Sequence, residues 1–156
     1  MRGRGRWEET DEVAADETDG VAGGERQLIV VDAANVVGSR PDGWWRDRAG
    51  AARRLLGKLT MLPDRLDEPG DVVVILEGAA RAAVDGEDDP EFADLRVVLA
   101  GGSGDDTIVE VVAEAVAADN NRRVIVVTAD RGLRDRVEAH GATTVGPRWL
   151  LDRVDS

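Results

Sequence analysis

The sequence contains no cysteine, a single histidine and a single lysine among its 156 residues. Without cysteine, a disulfide framework, a thiolate zinc site and thiol chemistry are all excluded. Because His140 is the only histidine, a multi-histidine metal site is excluded as well. Any bound metal must therefore be held by oxygen ligands, which indicates Mg²⁺ or Mn²⁺.

Long apolar runs are also missing. No stretch approaches the roughly 20 apolar residues that span a bilayer, and the N-terminus lacks the apolar core of a signal peptide. We therefore expect a cytoplasmic protein with no membrane contact. The composition, 42% apolar and 33% charged, is that of a globular chain long enough for one stable domain.

The net charge of −12 is unevenly distributed. Residues 1–25 carry eight acids and three arginines with little to bury, so we expect a disordered acidic tail ahead of a folded domain at 26–156. The tail is either a solubilising segment, which we favour, or a minimal basic nucleic-acid contact through its arginines. The overall charge disfavours polyanion binding without excluding it, because bound divalent ions would invert the field around an acidic site.

Short apolar runs alternate with helical patterns through the rest of the chain. Runs without polar alternation are typical of strands buried on both faces. The predicted strands are 28–31, 71–76, 95–100, 123–128 and 143–145. Helices are predicted from residue 44 to about 61, from 105 to about 119, up to about 140 and from 147, with loops after the first strand and at 78–91. This order predicts an α/β fold, a three-layer α/β/α sandwich around a mostly parallel sheet of about five strands.

Acidic residues follow the predicted strands. Asp32, Glu77 and Asp130 close the first, second and fourth, and Asp105 and Asp106 open the helix after the third. Each alone is explained by helix capping or a turn. In a parallel sheet, however, all five lie at one edge, where they repel one another by about 1 kcal/mol per pair. Such a grouping indicates a cation site.

Carboxylates that hold Mg²⁺ with retained waters serve phosphate chemistry, with one or two ions. Glu110, one helical turn beyond Asp106, is placed to reach the ion or its waters. Other acidic folds fit poorly. A P-loop would need a lysine after Gly104, where this sequence has an aspartate. A haloacid-dehalogenase-type phosphatase would need a second aspartate at position 34, which is Ala34. A receiver domain would need a lysine late in the chain, whereas the only lysine is Lys58.

The segment 40–65 is basic, with seven arginines or lysines against three aspartates. It is interpreted either as a solvated helix face or as a flank that contacts phosphates beside the acidic site. Both interpretations stay open from the sequence alone.

Four motifs resemble the NYN domain, the YacP-like branch of the PIN-like nuclease superfamily. They are VDAANV at 31–36, VVILEG at 73–78, DDTIVE at 105–110 and VTADR at 127–131. The resemblance extends over about 27–154. It implies a PIN-like fold and a nuclease dependent on Mg²⁺ or Mn²⁺ that acts most often on RNA. Two positions depart from the pattern: Glu77 replaces the usual aspartate, and Ala34 replaces a tyrosine or similar residue.

The resemblance also implies roles for individual residues. Those expected to hold the metal directly are Asp32, Asp106 and Asp130. Those expected to contact a second ion or the water shell are Glu77, Asp105 and Glu110. Asn35 and Thr128 are expected to orient water or substrate. Apart from the resemblance, the basic residues that we expect to contact RNA are Arg40, Arg46, Arg53 and Lys58 of the basic segment, together with Arg131.

The leading hypothesis is therefore a metal-dependent endoribonuclease. Its partner is RNA, free or presented by the ribosome or another RNA–protein complex, and the sequence makes no prediction about oligomeric state. A second hypothesis keeps the fold without turnover, as an RNA-binding or regulatory module. A third is a metal-dependent phosphatase or nucleotide hydrolase acting on a small substrate.

Overall fold

The structure, a computed structural model, describes residues 26–39 and 43–155. The predicted tail at 1–25 and the predicted RNA contact Arg40 lie outside the described residues. Within them, no helix is long and apolar enough to pass through a membrane.

Five parallel strands form the central sheet. Their bounds are Gln27–Asp32 (β1), Gly70–Leu76 (β2), Arg96–Leu99 (β3), Val124–Val127 (β4) and Thr143–Val145 (β5). The order across the sheet is β3-β2-β1-β4-β5, and every neighbouring pair is parallel. The predicted parallel sheet is confirmed, with β1 in its centre and the carboxyl ends of all strands at one edge.

Five α-helices cover the two faces of this sheet. They are Ala33–Gly38 (α1), Arg48–Leu59 (α2), Gly104–Ala118 (α3), Arg131–Glu138 (α4) and Pro147–Val154 (α5). Successive side chains of a strand point to opposite faces. Ile29 therefore packs with α1, α2 and α5, whereas Val30 packs with α3 and α4. The predicted three-layer sandwich is confirmed.

Two segments predicted as loops are partly helical. α1 directly follows β1, because Asp32 caps its first turn by accepting a hydrogen bond from the Asn35 amide, and because Val36 is buried in the core. Residues 78–91 include 3₁₀ helices at Gly78–Ala83 and Pro90–Phe92. The loop predictions for these stretches were wrong, since packing and caps rather than periodicity stabilise such short helices.

The predicted helix from residue 44 begins later as an α-helix. Trp44–Arg46 is a 3₁₀ turn, and α2 follows it because the Asp47 carboxylate accepts a hydrogen bond from the Gly50 amide at 2.9 Å. The apolar face of α2, with Leu55, Leu56 and Leu59, is buried against the sheet.

Arg53, on α2, binds the segment after β2 that carries the 3₁₀ helices at Gly78–Ala83 and Pro90–Phe92. Its guanidinium donates hydrogen bonds to the Ala83 carbonyl at 2.6 Å and to the Glu91 carboxylate, and lies 5.0 Å from the centre of the Phe92 ring. Its side chain therefore joins two parts of the fold and is engaged within the protein.

This arrangement predicts different effects for two adjacent arginines. Arg53→Ala should lower the free energy of unfolding by about 1–2 kcal/mol, because the segment around Phe92 loses charge-assisted hydrogen bonds. Arg54→Ala, the control at the neighbouring exposed position of α2, should change it by less than about 0.5 kcal/mol. Urea denaturation of the two variants checks the prediction, and equal stabilities would contradict it.

Candidate functional site

Asp32 lies at the centre of the candidate site, at the carboxyl end of the central strand. Only 8% of the residue is exposed. One carboxylate oxygen, Oδ1, accepts from the Asn35 backbone amide at 3.3 Å, and the other, Oδ2, accepts from the Thr128 hydroxyl at 2.9 Å. The side chain thus joins the end of β1 to the start of α1 and to the end of β4.

Thr128 and Asn35 extend this hydrogen-bond network to the next loop. Thr128 is fully buried, and its Oγ1 accepts from the Asp130 amide at 3.1 Å. The Asn35 side-chain oxygen accepts from the Ala129 amide at 2.8 Å. Asp130 in turn caps α4 by accepting from the Leu133 amide at 3.0 Å. These bonds fix the loop between β4 and α4 against Asp32.

Glu77 enters the site from the end of β2. Its Oε1 accepts a hydrogen bond from the Gly104 amide at 2.7 Å, at the start of α3. A Cβ on Gly104 would lie 2.3 Å from that oxygen and displace the carboxylate. The glycine therefore permits this close approach, and Ser103 caps the same helix by accepting from the Asp106 amide.

Four carboxylates at this edge affect one another's pKa values. Burial raises the pKa of Asp32 from 3.8 to about 6; hydrogen bonds from Thr128 and Asn35 partly offset this rise, and the charges of Asp105 and Glu77 add to it. Burial likewise raises the pKa of Asp105, and the charges of Asp130 and Glu77 raise it further. We refer to Asp32, Glu77, Asp105 and Asp130 as the carboxylate cluster.

Asp106, predicted as a direct metal ligand, has a different environment from Asp105. Its carboxylate accepts from the Arg136 guanidinium of α4 at 2.9 Å and is 65% exposed. Neighbouring residues on a helix point about 100° apart, so only one of the two aspartates faces the strand ends. Glu110, one turn beyond Asp106, is exposed. The structure thus brings Asp105 rather than Asp106 to the cluster.

The cluster offers only oxygen ligands, which suits Mg²⁺ or Mn²⁺. Within the described part of the chain, no group of three or more His, Cys, Asp or Glu side chains is arranged so that it could hold a metal ion together. Mg²⁺ commonly binds proteins through one or two carboxylates and keeps several waters, so it needs no complete cage. The pKa values of Asp32 and Asp105 are raised first by burial and then by neighbouring carboxylates, and a bound cation would favour the charged form of both groups. The residues present therefore fit such an ion.

The predicted RNA-contacting residues fall into two groups. Arg53 is bound within the fold, and Lys58 forms an ion pair with Asp155 near the chain's end. Arg46 is exposed, with its guanidinium 5.7 Å from the centre of the Trp45 ring, and Arg131 is exposed directly after Asp130. Arg53 and Lys58 would have to give up these contacts to bind a phosphate, whereas Arg131 is exposed beside the cluster and Arg46 is exposed over a tryptophan ring.

A cleft of about 500 Å³ opens beside Glu77. It lies between α1, α2 and the loops after β2 and β3. Its lining includes Ala34, Val37, Arg48, Ala52, Glu77 and Ser103. This cleft could not be predicted from the sequence, because its walls come from four separate segments and consist largely of small residues.

No family model and no curated protein matches the sequence. Among solved structures, the crystal structure of Rae1 (YacP) from Bacillus subtilis is similar, at 18% identity and a TM-score of 0.63 over 83% of this chain and 74% of that one. A tryptophan-to-leucine mutant of Rae1 (YacP) is similar over the same shares, at 18% identity and a TM-score of 0.61. This chain has a YacP-like fold. The resemblance predicted from the four motifs is thereby confirmed for the fold.

The buried Asp32 carboxylate predicts a pH dependence of stability. Its pKa is higher in the folded protein than in the unfolded chain, so the folded state binds the extra proton between about pH 4 and pH 6. Stability should therefore fall as the pH rises through this window, by up to about 3 kcal/mol from this group. The variant Asp32→Asn lacks the titrating carboxyl group and therefore lacks this part of the pH dependence, while the asparagine side chain can still accept the capping hydrogen bond.

The measurement is the free energy of unfolding in urea with EDTA, at intervals from pH 4 to pH 7. The wild-type protein should lose stability relative to Asp32→Asn as the pH rises. Parallel curves for the two proteins would refute the assignment.

The two adjacent aspartates of α3 provide a matched pair. Without metal, Asp105→Asn should raise the melting temperature, because it removes repulsion from Asp130 and Glu77. Asp106→Asn should lower it or leave it unchanged, because it weakens the ion pair with Arg136. Calorimetry at pH 7 in EDTA separates these outcomes. A lower melting temperature for Asp105→Asn would mean that this side chain mainly stabilises the helix N-terminus.

Proposed function

We propose that the protein is an endoribonuclease that uses Mg²⁺ or Mn²⁺ at the carboxylate cluster. The observation that carries this proposal is that four carboxylates come from four separate segments at the carboxyl edge of one parallel sheet, where Asp105 and Glu77 act by charge on Asp32, and Asp130 and Glu77 on Asp105. Open α/β sheets also bind their ligands at this edge.

We assign Asp32, Asp105 and Asp130 to the metal, one or two of them as direct ligands and the rest through its retained waters, with Glu77 beside them. A bound divalent ion supplies an activated water and offsets charge on the scissile phosphate. Asn35 and Thr128 act as positioning residues, because their hydrogen bonds hold Asp32 and the loop before α4. Asp106 and Glu110 are assigned to the periphery, where they influence the site through charge.

RNA is proposed as the substrate on the strength of the NYN-like motifs together with the YacP-like fold. Arg46 and Arg131 are the exposed basic residues that we assign to its phosphates. The RNA is free or presented by the ribosome or another RNA–protein complex. Since the overall charge is −12, binding depends on cations that offset the acids near the substrate.

A second candidate keeps RNA binding without turnover. Both oxygens of Asp32 already accept hydrogen bonds, and Asp130 caps α4. These two carboxylates therefore have structural roles that would persist in a protein without catalytic activity. In that case the cluster binds a cation or RNA backbone and the protein acts as a regulatory module.

A cleavage assay distinguishes the two candidates. Labelled single-stranded RNA, structured RNA and DNA are incubated with Mg²⁺, Mn²⁺ or EDTA. We expect RNA cleavage that needs metal and falls by roughly 100-fold in Asp105→Asn and in Asp130→Asn. Asparagine still caps α4, so Asp130→Asn should fold normally. Glu114→Gln, an exposed change further along α3, is the control and should retain activity.

RNA binding without cleavage in either metal would support the regulatory module and reject the nuclease. Turnover of nucleotides with intact RNA would instead indicate a small-substrate hydrolase. Metal binding is checked separately: Mn²⁺ at about 100 times its Kd should stabilise the wild-type protein by about 2.7 kcal/mol, and Asp105→Asn by less.

A further inference from the structure

A shallow apolar depression of about 80 Å³ lies between α1, α2 and α5, apart from the cleft beside Glu77. Aliphatic side chains form most of its lining, which are those of Val36, Val37, Ala51, Leu55 and Leu151. Val37 and Leu151 are only partly buried, so apolar surface stays open to a ligand. The volume is far below the roughly 300–1,000 Å³ of pockets that bury small organic ligands. The depression therefore suits one small aliphatic side chain of a polypeptide.

Cationic side chains border this depression. Arg54 and Lys58 belong to its lining and lie one helical turn apart on α2. Arg54 is exposed, and within the part of the chain that the structure describes no ion pair is made to it. Lys58 pairs with Asp155, but an ammonium group has three N–H donors and can serve a further acceptor. A fitting ligand thus carries carboxylates on either side of its apolar group.

The chain itself contains such a ligand ahead of the described residues. Positions 11–17 read Asp-Glu-Val-Ala-Ala-Asp-Glu, so that Val13 has acids before and after it. We refer to 11–17 as the acidic segment. No arginine or lysine occurs between Trp7 and Arg26. The acidic segment therefore matches the depression in the size of its apolar side chain and in the sign of the surrounding charge.

The acidic segment is also within reach of the depression. Twelve residues, 14–25, separate Val13 from Arg26 and can extend over about 40 Å. Arg26 precedes β1 at the amino edge of the sheet, whereas Val37 lies beyond the carboxyl end of that strand. The connection must therefore pass the six residues of β1, about 20 Å, and one layer of helices, about 10 Å. Its length is sufficient for docking within one molecule.

Covalent attachment makes a weak contact sufficient. A connection of this length presents the acidic segment at an effective concentration on the order of a millimolar, so a site with a Kd of about 1 mM is occupied about half of the time. Other occupants fit less well. A second copy of the chain meets the repulsion of two molecules that each carry a net charge of −12. A nucleic-acid phosphate has no aliphatic group to place in the depression.

We propose that the acidic segment binds the depression between α1, α2 and α5 within the same molecule, with Val13 in the depression and the flanking carboxylates at Arg54 and Lys58. The proposal goes beyond the nuclease function and does not depend on it. It gives part of the basic segment 40–65 a role inside the chain. A phosphate that is to reach Arg54 or Lys58 must first displace the protein's own acidic segment.

The absence of cysteine allows a single nitroxide label to be placed in the full chain. The label is attached through Thr10→Cys, and amide intensities are compared by NMR with the nitroxide oxidised and reduced. Amides of α2 near Arg54 and of α5 near Leu151 should lose at least about half of their intensity, given the occupancy expected for a tethered site. Amides of α3 near Ala117, on the opposite face of the sheet, should lose less.

Two pairs of variants in the labelled chain test the two parts of the contact. Arg54→Glu should abolish the intensity loss in α2 and α5, whereas Arg96→Glu, an exposed change on the edge strand β3, should retain it. Val13→Asp should abolish it as well, and Val21→Asp, outside the acidic segment, should retain it. Thermal unfolding monitored by circular dichroism establishes that each variant is folded. In 1 M NaCl, where screening acts over about 3 Å, the loss should weaken.

A uniform or absent intensity loss in the otherwise wild-type chain would overturn the proposal. An equal loss in Arg54→Glu and Arg96→Glu would do the same, as would an equal loss in Val13→Asp and Val21→Asp. A mixture of spin-labelled protein with isotope-labelled protein that lacks the nitroxide tests for docking between copies. Intensity loss in that mixture would assign the acidic segment to a second molecule and contradict the proposal. RNA cleavage has no bearing on any of these outcomes, so this proposal and the nuclease proposal fail separately.

Discussion

The carboxylate of Asp32 is the interaction on which the site depends. It ends the central strand, caps α1 and accepts a hydrogen bond from the fully buried Thr128. Through the Thr128 hydroxyl it also fixes the amide of Asp130. One buried acid therefore sets the relative positions of two strand ends and two helix starts. Its raised pKa is the energetic consequence of this placement, because burial disfavours the charged form that accepts these bonds best.

Much of the fold follows from patterns that can be read directly in the chain. The unbroken apolar run at Leu28–Val31 is typical of a strand covered on both faces, and β1 indeed contributes alternate side chains to both cores. The helix α1 was missed because its six residues include two valines and show no clear period. It is stabilised by the cap at Asp32 and by burial of Val36, which are tertiary effects.

The position of the candidate site was also predictable from the sequence, but not every residue that belongs to it. Strand ends and parallel pairing place Asp32, Glu77 and Asp130 at one edge, but they do not fix which of two adjacent aspartates faces inward. That depends on the rotation of α3 about its axis and on Arg136, which reaches Asp106 from another helix. Likewise, Arg53 was predicted to contact phosphate because its partners within the fold could not be recognised from the sequence. The carbonyl and the carboxylate that it binds lie 30 and 38 residues away in the chain.

The central position of β1 has a consequence for the order of folding. The hydrogen bond between Thr128 and Asp32 joins residues 96 positions apart, and β1 pairs both with β2, the next strand in the chain, and with the much later β4. Contacts this distant in sequence slow folding, and chains emerge from the ribosome N-terminus first. Asp105 and Asp130 both lie in the last third of the chain. A partly synthesised chain that ends before them has only Asp32 and Glu77 of the carboxylate cluster, so the cluster can form only once the sheet is complete.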